Sequence, residues 1–188
     1  MKNSLEFLLE SDHESLGQLL AKLDAELGKP NCVRAFELLD LFWARLAVHI
    51  RAENLHLFPA LNEASALIHS AKDNLPDLEE VQNMLLRLRS DHDFFMKELS
   101  VAIKSARTIA ACEVAPPKQT RELRQRLTTI AKRLEVHNKV EEEQVYLWPS
   151  LLLDEPSLIR LSDRVRHELE NLPPRVSQKT EVEFDQSC

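Results

Sequence analysis

The sequence predicts an all-α protein, an up-down-up-down four-helix bundle with a short extra C-terminal helix, and three observations carry that prediction. Glycine is nearly absent, with two in 188 residues, while the helix-favouring Leu, Ala, Glu, Arg and Lys dominate. Four long segments carry apolar residues at three- and four-residue steps, the period of an amphipathic helix. A short constellation is also written twice: Ser11-Asp12-His13-Glu14 followed by His49-x-x-x-Glu53, then Ser90-Asp91-His92-Asp93 followed by His137-x-x-x-Glu141. The copies lie 79 residues apart at the first histidine and 88 at the second, so the repeat is approximate and predicts two helical hairpins related by a pseudo-two-fold.

The first helix is predicted from about Ser4 to about Leu27, with Leu5, Leu9, His13, Leu16, Leu20 and Leu23 on one stripe, and Gly28-Lys29-Pro30 ends it. The second runs from about Asn31 to about Glu63, with Phe42, Leu46, His49, Glu53 and His56 in line. Asp73-Asn74-Leu75-Pro76 marks a restart, and the third, about Asp77 to Ala111, aligns Val81, Leu85, Leu88, His92, Phe95 and Leu99 before Pro116-Pro117 closes it. The fourth, about Lys118 to Leu153, aligns Leu123, Leu127, Ile130, Leu134, His137 and Glu141. A shorter helix from about Pro156 to Leu172 is expected to pack outside the bundle. Residues 1–172 then form one domain, and Pro173-Pro174 opens a polar, flexible tail over 173–188.

A net charge of −7 and a pI near 5.5 argue against nucleic acid, because no basic face is available to neutralise phosphates. Cys32, Cys112 and Cys188 are odd in number and far apart, which reads as reduced thiols in a cytoplasmic protein. Glu6, Glu10 and Asp12 break any signal-peptide apolar region, and no run approaches membrane-spanning length, so a soluble chain with no membrane partner is expected. A chain of this length buries a sizeable core unaided, which makes a metal here functional before structural.

Antiparallel neighbours make a register argument. His13 lies about 15 residues before the first turn and His49 about 18 after it, while His92 and His137 each lie about 20 from the second; at about 1.5 Å per residue the partners come level within about one helical turn. The four histidines are thus predicted to converge in one layer. The i to i+4 spacing puts His49 with Glu53, and His137 with Glu141, on one helix face, so two such faces opposed across a bundle bracket a metal pair. Hiding four histidines and two carboxylates by mutual hydrogen bonding alone is the other account, and it is costly because every buried polar group needs a partner.

Imidazole and carboxylate without thiolate suit iron, manganese or zinc. Two six-coordinate irons need about twelve positions, of which four His, two bridging Glu and a bridging oxo or hydroxo fill about ten, leaving about two open for O2, NO or peroxide.

These residues resemble the haemerythrin-like family, the HHE cation-binding domains, over residues 4 to 153. The resemblance rests on Asp12-His13, on His49-Ile-Arg-Ala-Glu53 leading to Leu57-Phe58-Pro59, and on Asp91-His92 with His137-Asn-Lys-Val-Glu141-Glu142-Glu143. It implies a four-helix bundle around a non-haem di-iron centre, with Glu53 and Glu141 bridging and His13, His49, His92 and His137 as terminal ligands. The implied functions are binding or sensing of O2, NO or related small ligands, with a di-iron enzyme consuming peroxide or NO, or an iron-centre repair or iron-donor protein, as alternatives; zinc or manganese are the alternative metals. Oxygen-carrying members place a second histidine one turn after the third-helix histidine, and here that position is Met96. Repair members often carry an extra cysteine-containing N-terminal segment, which Met1-Lys-Asn-Ser-Leu-Glu6 does not resemble.

His56 lies three residues after Glu53 and is read either as a fifth ligand or as a core-edge histidine; the matching residue in the second copy is Gln144. Gly17 either leaves room beside the metal or permits close helix packing. Tyr146, Trp43, Trp148, Phe95 and Met96 read as core, the alternatives being a Tyr146 hydroxyl bonded to the metal shell and a small-ligand pocket shaped by Phe95 and Met96. Asp12 and Asp91, about 100° around the helix from the histidines that follow them, read as solvated or helix-neighbour residues, and Glu142, Glu143 and the basic run Arg121 to Arg133 as solvated faces. His69 and His167 read as surface.

Overall fold

The computed structural model describes residues 4–27, 29, 33–67, 75–112 and 116–173. Regular structure among them is entirely helical: α1 Ser4–Glu26, α2 Val33–Ala52, a π-turn Glu53–Leu57, α3 Phe58–Ala66, α4 Leu78–Ala110, α5 Pro117–Glu143, a 3₁₀ turn Val145–Leu147, α6 Trp148–Leu152 and α7 Glu155–Glu170. No described helix is long and apolar enough to cross a membrane.

Local chemistry sets the ends. Asp77 caps α4 by accepting from the Glu80 backbone N–H at 2.8 Å, and Asp154 caps α7 through the Ser157 N–H at 3.0 Å. Pro59, Pro117, Pro149 and Pro156 each stand in the first turn of their helix, where the missing N–H would find no partner anyway. Two predicted helices are divided. The second is interrupted by the π-turn, and the fourth breaks at Gln144, whose φ of −133° is not helical. Pro117 opens α5 instead of closing the helix before it.

The apolar stripes face inward as the three- and four-residue spacing predicts. Leu5, Leu9, Leu16 and Leu23, Val81, Leu85, Leu88, Phe95 and Leu99, and Leu123, Leu127, Ile130 and Leu134 are all buried. Each such side chain contributes about 1.5–3 kcal/mol relative to an exposed one. They gather into two apolar clusters. One joins the end of α1, the start of α2, the end of α4 and the start of α5, through Leu23, Leu39, Ile109 and Leu123. The other joins the start of α1, the end of α2, α3, the start of α4 and the Tyr146–Trp148 segment. The start of one helix therefore meets the end of its neighbour in both hairpins, and α1, α2, α4 and α5 close a ring of pairwise contacts. Helix α7 lies against α1, α2 and the π-turn and adds Leu161 and Val165 to the second cluster.

Of the expected tail over 173–188, all but Pro173 lies outside the described residues, as do Cys32, Cys188 and His69. Cys112 is an exposed free thiol.

Candidate metal centre

A layer of buried polar side chains stands among the apolar ones. His13, His49, Glu53, His92, His137 and Glu141 are each at most 5 % exposed, and the structure brings all six together. The Nε2 atoms of His13 on α1 and His49 on α2 are 3.0 Å apart, and those of His92 on α4 and His137 on α5 are 3.2 Å apart. Both hairpins therefore come level at their histidines.

The carboxylates join the two pairs. Glu53 places Oε1 3.5 Å from His49 Nε2 and Oε2 3.3 Å from His92 Nε2. Glu141 places Oε2 3.5 Å from His13 Nε2 and Oε1 3.1 Å from His137 Nε2. Each carboxylate gives one oxygen to each histidine pair. Two groups of side chains can each hold a metal ion, His13–His49–Glu141 and Glu53–His92–His137–Glu141, with their donor atoms within 4.8 Å of one another. The set fits metal on a further observation: Glu53 Oε2 and Glu141 Oε1 are fully buried and make no hydrogen bond. Such orphaned acceptors are costly in a protein interior, and a cation satisfies both.

Every histidine is held from behind through Nδ1. Asp12 accepts from His49 Nδ1 at 2.9 Å and is itself fixed by Arg45 at 2.6 Å. Asp91 stands 3.3 Å from His137 Nδ1 and is fixed by Arg133, whose Nη2 lies at 2.5 Å. Glu142 lies 2.7 Å from His13 Nδ1, and the Asn54 amide 3.3 Å from His92 Nδ1. The carboxylates of Asp12, Asp91 and Glu142 accept from Nδ1–H and so fix ring orientation and tautomer, leaving Nε2 as the ligating atom, whereas the Asn54 amide nitrogen holds only the position of the His92 ring.

Of the solvated and helix-neighbour readings of Asp12 and Asp91 the structure bears out the second, and it corrects the solvated role expected for Glu142. A position 100° around the helix from the histidine faces the neighbouring helix, so the Asp of α1 serves the His of α2, and the Asp of α4 the His of α5. Ser11, Glu14, Ser90 and Asp93 are the exposed members of the repeated constellation. The other two partners, Asn54 and Glu142, each follow a central glutamate directly, so the supporting residues repeat along with the inner ones.

His56 is not in the layer. The π-turn over Glu53–Leu57 inserts a residue relative to α-helical register and rotates the chain beyond Glu53, so His56 Nε2 lies 3.5 Å from Glu168 on α7. Gly17 is exposed, with nothing within 4 Å of where a Cβ would stand, so it serves neither of its expected roles. His167 is exposed as expected. The basic run is less solvated than expected, since Arg124 pairs with Asp24, Arg126 with Glu98 and Arg133 with Asp91. Phe58 stacks on His92 at 5.7 Å between ring centres, and Phe95 meets His137 edge-on at 5.2 Å.

Tyr146 completes the layer. Fully buried, its hydroxyl donates to Glu53 Oε1 at 2.7 Å and lies 3.1 Å from His13 Nε2. Burial and the charges of Glu141 and Glu53 push its phenol well above its ordinary range.

The family model described as the hemerythrin HHE cation binding domain matches residues 6–148. The chain belongs to the hemerythrin HHE family. No curated protein and no solved structure matches it. The match spans the six histidines and glutamates of the layer and Tyr146, and α7 lies beyond it.

Without metal, protons hold the HHE layer together. Burial pushes the His92 imidazole down, but its contacts with Glu141 and Glu53 outweigh this and hold it at about 9. Burial and the Glu141 charge push Glu53 up, yet the His49 charge and the close approach of the His49 and His92 rings bring it to about 2. His92, raised from 6.5, contributes stability that is fully present below pH 6.5 and lost as pH rises through about 9. Glu53, lowered from 4.5, contributes stability present above pH 4.5 and lost as pH falls through about 2. The chelator-treated protein is therefore expected to be most stable between pH 4.5 and 6.5. Metal displaces these protons, so the loaded protein should not share the alkaline decline. Melting temperature against pH, with and without chelator, checks this; parallel curves from pH 6 to 9 would refute it.

Proposed function

We propose that residues 1–172 form an up-down-up-down four-helix bundle with an appended helix, built around a non-haem di-iron centre that binds or senses O2, NO or a related small ligand in the cytoplasm. His13 and His49 are terminal ligands of one iron, His92 and His137 of the other, and Glu53 and Glu141 bridge them. The observation that carries this reading is the way both glutamates divide their oxygens between the two histidine pairs. A single-metal site has no use for two such carboxylates. The all-nitrogen and oxygen donor set suits iron, with zinc or manganese as the other metals it accommodates.

A bound metal pair supplies Lewis acidity, and with iron redox chemistry, toward a small ligand at open coordination positions. The protein positions the donors and keeps bulk water out through the two apolar clusters. Elemental analysis of protein expressed in iron-sufficient medium and purified without an affinity tag tests the reading. About two irons per chain are expected; one metal, or none, overturns the paired centre, and zinc alone overturns iron.

A further inference from the structure

The two sides of the layer are not equivalent, and Tyr146 makes the difference. Its Oη lies 2.7 Å from Glu53 Oε1, 3.1 Å from His13 Nε2, 3.4 Å from Glu141 Oε2 and 3.5 Å from His49 Nε2. Those atoms are also neighbours in a row: Glu53 Oε1 to His49 is 3.5 Å, His49 to His13 3.0 Å, and His13 to Glu141 Oε2 3.5 Å. Around an octahedral metal with bonds of about 2.1 Å, adjacent ligand atoms stand about 3.0 Å apart and opposite ones about 4.2 Å. All of these separations are closer to the adjacent value than to the opposite one. The hydroxyl therefore stands at ligand-to-ligand distance from two imidazole nitrogens and two carboxylate oxygens of the His13–His49 side.

The geometry points to Tyr146 as a fifth protein ligand of the metal on the His13–His49 side, bound through its phenolate oxygen. On coordination the phenol O–H bond breaks, the oxygen–metal bond forms, the proton leaves to solvent and no electron is transferred. This rests on the paired-metal reading of the centre and adds an asymmetry to it. The His92–His137 side offers four donor atoms, His92 Nε2, His137 Nε2, Glu53 Oε2 and Glu141 Oε1. With one solvent-derived bridge shared between the metals, the His13–His49 metal is filled at six positions and the His92–His137 metal keeps one open. The small-ligand site then lies beside His92 and His137, walled by Phe58 and Phe95.

Tyr146 is the sole tyrosine of the chain, which makes the test unambiguous without any substitution. Protein loaded with ferric iron is examined by visible absorption and by resonance Raman excited in the absorption band, with iron content measured on the same sample. A phenolate-to-iron charge-transfer band is expected, with tyrosinate ring modes that shift when the protein is grown on ring-deuterated tyrosine. Tyr146→Phe should abolish band and modes while iron remains bound. Two irons with no tyrosinate modes overturn the ligand assignment alone, because a tyrosine that only hydrogen-bonds to Glu53 gives none. A protein that takes up no iron overturns the metal-centre reading and this assignment with it.

Discussion

Glu141→Gln should lower the iron content from about two per chain to one at most. Glu141 belongs to both groups of potential ligands, so its loss leaves Glu53, His92 and His137 on one side but only His13 and His49 on the other. Glutamine keeps the volume and removes the charge, and an amide is a weaker ligand than a carboxylate for a hard cation. His13, His49 and Tyr146 then keep only the Glu53 oxygen in common with the other side, so the two sites lose their second bridge and one metal at most is retained. Glu53→Gln should do less harm, because the His13–His49–Glu141 group survives it and the other side keeps His92, His137 and Glu141. Elemental analysis of the two variants beside the unsubstituted protein decides the order. Unchanged iron in Glu141→Gln would remove the bridging role assigned to it. Circular dichroism guards against misfolding, since a helical content equal to that of the parent shows that the loss is at the site.

The fold and the six inner residues are legible in the sequence because both depend on periodicity alone. Leu5, Leu9, His13 and Leu16 repeat at three and four residues, and the same stripe that buries the leucines must bury the histidine among them. The i to i+4 spacing of His49 and Glu53 survives because the π-turn begins at Glu53 and distorts only the residues beyond it. His56 defeats the pattern for that reason: no residue in Glu53-Asn-Leu-His-Leu57 announces a π-turn, and α-helical register keeps His56 in line. Tyr146 is the converse case. Five residues beyond Glu141 on an unbroken α-helix it would stand about 140° away, facing outward. The break at Gln144 and the 3₁₀ turn bring its hydroxyl back to the layer, and the position of Pro149 is the only sequence signal of a changed helix end. Which histidine each supporting partner serves escapes the sequence for a different reason. Asp12, Asp91, Asn54 and Glu142 act across helices, and periodicity describes one helix at a time.

Those partners lead to the second large effect. Asp12→Asn should weaken metal binding about 10- to 100-fold, the usual cost of losing the carboxylate behind a ligating imidazole. Burial pushes the Asp12 carboxyl up, but hydrogen bonding to His49 and the charges of His49 and Arg45 outweigh it and leave it below its ordinary value, so it is ionised across the working range. In the loaded protein that negative charge meets the His49 Nδ1–H and makes Nε2 a stronger donor. Asparagine keeps an acceptor of the same shape yet removes the charge, and Arg45 is left beside His49 with nothing to neutralise it. The same reasoning predicts a smaller effect at Asn54, where the partner of His92 is already a neutral amide. Competition against a chelator of known affinity measures both substitutions. Equal losses for Asp12→Asn and Asn54→Ala would show that these side chains only hold the rings in place. A larger loss at Asp12 means that carboxylate charge, passed through the imidazole, sets how tightly each metal is held.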